Sequence, residues 1–319
     1  MAQGAPQLLG EQGDGYCNRF CVGAVSVQLW GERPGDVGLG ATLDAFRVET
    51  SASDISIQVA WVPELPRSSG RQLFDSATTW RLYEDEDRLR FDICAAVFGL
   101  RPFKRLLIDR GFSKAQLQVS EECFAAFPHA AEPFSYPLDE LLIMHRLTQE
   151  RAIELHGVGI VGPDGASNLF VGHSGAGKST TARLWTSMHE VKILSDDRII
   201  VREDHVREDK AGRAVCGDGG QIFMYGTPWH GEAHFALPER APLQRIFVLE
   251  HGQGNVLTRL TRSQMVAELF ARSFVPFHRH EYVDSALSFL ERVADTVPCY
   301  HYSFEPDERA VEMILGFRD

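Results

Sequence analysis

Three features of the chain point to an α/β (α+β) domain built around a phosphate-binding loop and preceded by a β-rich N-terminal domain. The stretch Gly172-His-Ser-Gly-Ala-Gly-Lys-Ser179 satisfies the spacing G-x-x-x-x-G-K-[ST]. It lies between an apolar run at 169–171, read with Asn168 as a strand, and a run at 180–185, read as the continuing helix. A second apolar run, 191–195, ends in Asp196-Asp197. Upstream, residues 16–130 alternate short strand-like runs with turn residues and carry no catalytic constellation.

Composition sets the frame. The 319 residues suffice for one large or two modest domains. Hydrophobic content of 44% and charged content of 24% predict an ordinary packed core. A formal net charge of −12 argues against nucleic acid or an anionic membrane as main partner, because both ask for a basic face. No apolar run approaches the ~18–20 residues of a membrane span. Met1-Ala-Gln-Gly-Ala-Pro6 lacks the basic and apolar parts of a signal peptide, so a cytoplasmic protein is expected. Of six cysteines only Cys17 and Cys21 are close. No second Cys or His pair completes a zinc site, and free thiols are expected.

Taken in order, residues 1–15 are rich in Gly and Gln and read as a mobile tail. The β-rich domain spans 16–136. Residues 22–30 have strand composition, and the loop from Gly31 to Gly40, containing Pro34, ends that strand. Residues 44–48 and 55–61 alternate apolar and polar, as half-buried strands do. Residues 80–83 and 89–93 flank the acidic run Glu84-Asp-Glu-Asp87 and predict a hairpin, its turn solvated rather than metal-binding. Residues 104–109 and 115–119 add two strands. Substrate recognition or oligomerisation is the default role of this domain.

Pro133-Phe-Ser-Tyr-Pro137 then punctuates the chain. Leu138, Leu141, Leu142 and Leu147 predict a helix with Pro137 in its first turn. A second domain, 137–319, follows. Residues 154–161, the turn Gly162-Pro-Asp-Gly165 and residues 168–171 predict a hairpin that feeds the phosphate loop. The helix after the loop is expected to end near His189. Residues 246–249 read as a strand, and 264–273 and 283–293 as amphipathic helices.

The loop residues suit one chemistry. Glycines let the backbone curl so that its N–H groups nest phosphate oxygens, and the following helix points its positive end at the same anion. Lys178 is placed to reach terminal phosphates and the Ser179 hydroxyl to bind Mg²⁺. Asp196 and Asp197 follow Lys178 by 18 and 19 residues. A helix of about ten residues and a short return fit that gap. Two adjacent carboxylates can divide the labour, one holding Mg²⁺ and the other accepting the proton of an attacking hydroxyl. In Tyr225-Gly-Thr-Pro-Trp-His-Gly-Glu232, Gly226 and Pro228 fix a turn and Trp229 supplies an apolar anchor. His230 and Glu232 are candidates to face phosphates or a metal; the alternative is a structural turn with Trp229 in the core. Arg272 is a further candidate phosphate contact. Phe277-His-Arg-His280 reads as a solvated connection rather than a phosphate site.

Together, His156-Gly-Val, Gly172 to Ser179 and Ser195-Asp-Asp-Arg198 resemble the HPr kinase/phosphorylase family. Tyr225 to Glu232 and Val297-Pro-Cys-Tyr300 resemble segments of HPr-kinase-related proteins, including peptide kinases of natural-product clusters. The resemblance covers 137–319. It implies a P-loop kinase domain of the HPr kinase/carboxykinase type, related to ATP-dependent phosphoenolpyruvate carboxykinase, with ATP and Mg²⁺ as cofactors. It places Gly172, His173, Ser174, Gly175, Ala176, Gly177, Lys178, Ser179 and Thr180 around the nucleotide phosphates, with Lys178 also catalytic. It further implies Ser179 and Asp196 on Mg²⁺, Asp197 as the base toward an acceptor serine, and His156 near the transferred phosphoryl group.

The chain departs from the family in three ways. No second glycine-rich signature follows the Asp pair, so the resemblance does not carry phosphorylase activity. The N-terminal half differs from that of the bacterial sugar-regulation enzyme, so HPr is not carried over as substrate. His173 stands where the family commonly has another residue. The expectation is a Mg-ATP-dependent phosphotransferase that moves the γ-phosphate to a hydroxyl, most simply a serine of a protein or peptide. The alternatives are a kinase of a small hydroxylated metabolite and a non-catalytic ATP-binding sensor. Members of the family often form homo-oligomers.

Overall fold

A computed structural model describes residues 15–125, 132–188, 190–208 and 214–318, with backbone alone for 205–208 and 214–219. The tail 1–14 and His189 lie outside the described residues. The chain divides into two compact units. One comprises Met1–Arg19, Val27–Leu39 and Ile55–Phe134; the other comprises Phe20–Ser26, Gly40–Asp54 and Ser135–Asp319.

An eight-stranded sheet holds the strands of the first unit, and its hairpin residues Phe20–Ser26 belong to the second. In chain order its strands are β1 (Tyr16–Val22), β2 (Val25–Gly31), β3 (Ile55–Val62), β4 (Arg71–Asp75), β5 (Trp80–Asp85), β6 (Arg88–Cys94), β7 (Pro102–Asp109) and β8 (Lys114–Ser120), followed by the short helix α1 (Glu121–Phe124). Their spatial order is β1-β2-β3-β8-β7-β6-β5-β4. Alternation sends Ile55, Ile57 and Val59 inward from β3, and Leu117 and Val119 from β8. The hairpin over 80–93 forms as β5 and β6. Two local expectations are corrected. The run 22–30 is not one strand, because Gly23 (φ 58°) and Ala24 (φ 60°) take the paired left-handed geometry of a tight hairpin and reverse the chain. Residues 44–48 are not a strand either. Ala41–Phe46, which belongs to the second unit, is a 3₁₀ helix whose spacing brings Leu43 and Phe46 to one buried face.

The second unit continues with α2 (Leu138–Leu147), β9 (Ala152–Val161), β10 (Ser167–Val171), α3 (Lys178–Met188), β11 (Lys192–Ile193), β12 (Arg198–Glu208), β13 (Ala214–Gly226), β14 (Arg240–Pro242), β15 (Arg245–His251), β16 (Val256–Arg259), α4 (Arg262–Phe270), β17 (Ser273–Phe274), α5 (His280–Thr296), β18 (Cys299–Phe304) and α6 (Glu308–Gly316). The sheet runs β14-β13-β12-β9-β10-β15-β18-β16, with β11 and β17 pairing onto β9. At its centre alternation splits the core in two. Leu169, Val171, Ile246 and Val248 face Met265, Leu269, Phe289 and Leu290 from α4 and α5. Phe170, Phe247 and Leu249 face Ala182 and Trp185 of α3 and Val311 and Ile314 of α6. Strands covered on both faces read as continuous apolar runs, as 169–171 does.

The expected fold class is overturned. The structure is mixed α+β and dominated by strands in two large sheets, not a P-loop α/β kinase domain of the HPr kinase/carboxykinase type. Strand direction is the reason. A strand-loop-helix motif predicts a parallel return beside the first strand. After α3 the chain instead lays the two-residue β11 antiparallel on β9, and then sets the β12–β13 hairpin antiparallel beside β9. In this sheet, among the described residues, parallel pairing is confined to β10, β15 and β18. Among the described residues no helix is long and apolar enough to cross a membrane, and the described cysteines are free.

Candidate functional site

β10 ends at Val171 in the middle of its sheet, so the chain emerges at the strand's carboxyl edge and turns directly into α3. Gly175 (φ 81°) and Gly177 (φ 99°) supply the left-handed backbone of that turn. A Cβ on Gly177 would also lie 2.6 Å from the Phe304 ring. The loop is pinned by Ala176 N donating to His173 O at 3.1 Å and by His251 Nε2, 3.0 Å from Gly175 O. His173, Ser174 and Gly175 are exposed, while Ser179 and Thr180 are half-buried in the first turn of α3. Lys178 is buried beneath the loop, and its Nζ donates to Gly172 O and His173 O, both at 3.0 Å. Burial, joined by the Arg198 and Arg272 charges and opposed by Asp197, pulls its pKa from 10.5 to about 8.

The second group is assembled across β9 and β12. Their register sets His156 opposite Arg198, with Asp197 one residue before β12. His156 Nε2 lies 2.9 Å from Asp197 Oδ1, and Arg198 Nη1 bonds Asp197 Oδ2. Burial alone would raise the Asp197 pKa. The hydrogen bond from His156 and the Arg198 charge outweigh it and hold the carboxyl below its ordinary value. Arg198 Nε donates to Glu140 Oε1 on α2 at 2.8 Å, and the guanidinium lies 4.0 Å over the Phe274 ring. Arg272 is nearly buried, bonded to Glu268, and its backbone oxygen accepts from His156 N at 2.8 Å.

The two neighbouring aspartates face different surroundings, as successive side chains at a strand end do. Asp196 is 1% exposed. Its Oδ1 accepts from Gly231 N at 2.9 Å and Phe235 N at 3.2 Å, and its Oδ2 from Ala233 N at 2.8 Å. One carboxylate thus fastens the turn 231–235. Trp229 is buried, with its Nε1 donating to Asp139 Oδ2 at 3.1 Å. His230 is half-buried, its ring 4.6 Å from that of His234, and Glu232 is exposed. A cleft of about 220 Å³ lies between these groups, lined by Thr42, Tyr136, Glu140, Asp197, Arg198, Pro228, Trp229 and His230.

The structure therefore brings Lys178, His156, Asp197 and Arg272 within electrostatic reach of one another, puts His230 on the cleft that Asp197 lines, and turns Asp196 into the 231–235 turn. Sequence reasoning missed Glu140, Glu154, Arg198 and Asp139. For two of them a signal exists: Arg198 directly follows the Asp pair, and Glu154 shares a strand face with His156. Among the described residues no group of three or more His, Cys, Asp or Glu side chains could hold a metal ion. No protein-family model and no curated protein matches the chain.

Proposed function

We propose that the chain is a Mg-ATP-dependent phosphotransferase acting on a hydroxyl, a serine of a protein or peptide. The observation that carries this reading is the juxtaposition of an ionised carboxylate, Asp197, with the Lys178 loop on one side and an open cleft on the other. Binding a nucleotide would not call for a carboxylate that is held charged and faces a cleft; accepting a proton from a bound alcohol does. The resemblance of the His156, loop and Asp-pair residues to HPr kinases supports the same reading, and a cytoplasmic setting fits it.

In this mechanism the loop N–H groups and Lys178 bind the nucleotide phosphates. The acceptor hydroxyl enters through the cleft beside Tyr136 and Trp229. As its oxygen forms the new bond to phosphorus and the bond to the leaving diphosphate breaks, its proton passes to Asp197. His156 and Arg198 hold the two oxygens of Asp197 and fix its direction. Ser179 is the residue that would hold magnesium. Among the described residues no cluster of protein donors suits a metal on its own, and both oxygens of Asp196 are taken by backbone N–H groups. A donor set of one hydroxyl fits an ion carried in with the phosphates, which would neutralise their charge.

Transfer of label from γ-labelled ATP, offered with a serine-containing peptide pool, a lysate and a metabolite pool in parallel, tests the reading. Labelled peptide or protein supports it. Asp197→Asn is expected to keep nucleotide binding and lose transfer by two or more orders of magnitude, roughly the share of a positioned base. Label confined to a small molecule moves the acceptor to metabolites. ATP binding without any transfer makes the chain a nucleotide sensor.

A further inference from the structure

Glu154, beside the site, has a side chain fully shielded from solvent, and the mechanism above does not use it. It lies on β9 two residues before His156, opposite Ile200 on β12 and Phe274 on β17. Its Oε1 is 3.4 Å from Arg198 Nε, but that N–H already donates to Glu140 at 2.8 Å, and Arg198 Nη1 is engaged by Asp197. Among the described residues neither oxygen of Glu154 receives a hydrogen bond. The cavity at its side, about 10 Å³ and bordered by Leu147, Phe274, Tyr282 and Ser285, is at the lower limit for one water. A buried carboxylate with no donor and no solvent is very costly, so such a group keeps its proton.

Three carboxyl groups thus surround one guanidinium. Glu140 faces Glu154 from α2, Arg198 and Asp197 from the start of β12, and His156 from its own strand; on the α5 side stand the Tyr282 phenol and the Ser285 hydroxyl. Tyr136, Asp139 beside Glu140, and Lys178 toward Asp197 and Arg198 are further titratable groups within electrostatic reach of the cluster. With every carboxyl ionised, Arg198 would be drawn toward the Glu140–Glu154 side and away from Asp197.

We propose that Glu154 is a positioning residue for Asp197: held as a neutral acid, it leaves Arg198 free to fix Asp197. Burial first, and the Glu140 charge second, hold the Glu154 proton well above the ordinary carboxyl range. The inference rests on the phosphotransfer reading only for its consequence on rate. The Glu154 proton and the coupling to His156 are measurable without any acceptor.

The test compares the full chain with Glu154→Gln, which copies the neutral acid. Infrared difference spectra at neutral pH are expected to show a protonated-carboxyl band in the parent that the variant lacks. The His156 ring resonances, followed by NMR as pH rises, are expected to show a step in the parent as Glu154 ionises and Arg198 shifts, and no such step in the variant. With an acceptor in hand, the variant keeps neutral-pH transfer within about threefold and loses the part of the decline with rising pH that belongs to Glu154. Absence of the band, or the same His156 step in both proteins, overturns the proposal. So does a loss of transfer beyond about thirtyfold in the variant at neutral pH. Glu140→Gln gives a second check, since removing the charge beside Glu154 should move the His156 step to lower pH; an unmoved step also overturns it. Failure of both proteins to transfer phosphate at all, with band and step behaving as expected, counts against the phosphotransfer reading alone.

Discussion

Lys178 carries a charge under a loop whose carbonyls hold it, and burial makes that charge costly. The sign of the effect follows. A folded-state value of about 8, below the ordinary 10.5, means the penalty is present below pH 8 and is relieved between pH 8 and 10.5. Stability measured by denaturant should therefore rise with pH across that window in the parent and stay flatter in Lys178→Met. On the phosphotransfer reading, calorimetric affinity for ATP should fall above pH 8 in the parent as the ammonium loses its proton. Two loop glycines separate backbone strain from crowding. Gly175→Ala meets nothing within 4 Å and should cost only left-handed strain, about 1 kcal/mol. Gly177→Ala must also displace the Phe304 ring and should cost about 2–4 kcal/mol, read from the shift in urea midpoint. At this scale the sequence shows which residue types are present but not which way they face. Asp196 and Asp197 are indistinguishable as letters, and only the fold turns one to backbone N–H groups and the other to His156.

The turn 228–235 is an element held by a few contacts. Asp196 takes three of its N–H groups, Trp229 reaches Asp139, and Gly226 lies where a Cβ would fall 2.0 Å from Leu237 O. Asp196→Ala leaves three donors without an acceptor and should cost about 3 kcal/mol or more. Asp196→Asn, with one acceptor oxygen, should fall between, and the Mg²⁺ dependence of any transfer should be unchanged in it; a large rise in the Mg²⁺ requirement would return Asp196 to the metal. Elements that depend on local pattern were readable: the glycine-rich turn, the leucine-spaced helix α2, and the hairpins over 80–93 and 154–171. Strand direction was not. The apolar runs 169–171 and 191–195 look alike, yet one pairs parallel with β15 and the other contributes two residues antiparallel to β9. The network around Arg198 was hidden for a related reason, since its members come from α2, β9 and β12 and meet only through sheet register.

For the molecule as a whole, buried acids make stability depend on pH in an unusual direction. Asp139 is fully buried, and burial lifts its pKa from 3.8 to about 6 despite bonds from Trp229 Nε1 and Glu140 N. An acid that binds its proton more tightly when folded stabilises the fold below its unfolded value, and that contribution is lost as pH rises through the folded one. Thermal scans should show this as a decline between about pH 4 and 6, worth up to about 3 kcal/mol. Asp139→Asn should remove it. A protein of net charge −12 would otherwise gain from losing self-repulsion as pH falls, so the two effects reinforce each other and the comparison with the variant is what isolates Asp139. The fastening of residues 231–235 by one carboxylate has a practical side. Because Asp196 grips only backbone N–H groups, it is indifferent to the side chains the turn carries. Residues 230 and 232 form an exchangeable pair: their side chains can be grafted or randomised, leaving Trp229, Asp196 and the left-handed His234 (φ 60°) in place, and residue 230, which lines the adjoining cleft, retunes what that cleft admits without rebuilding the scaffold beneath it.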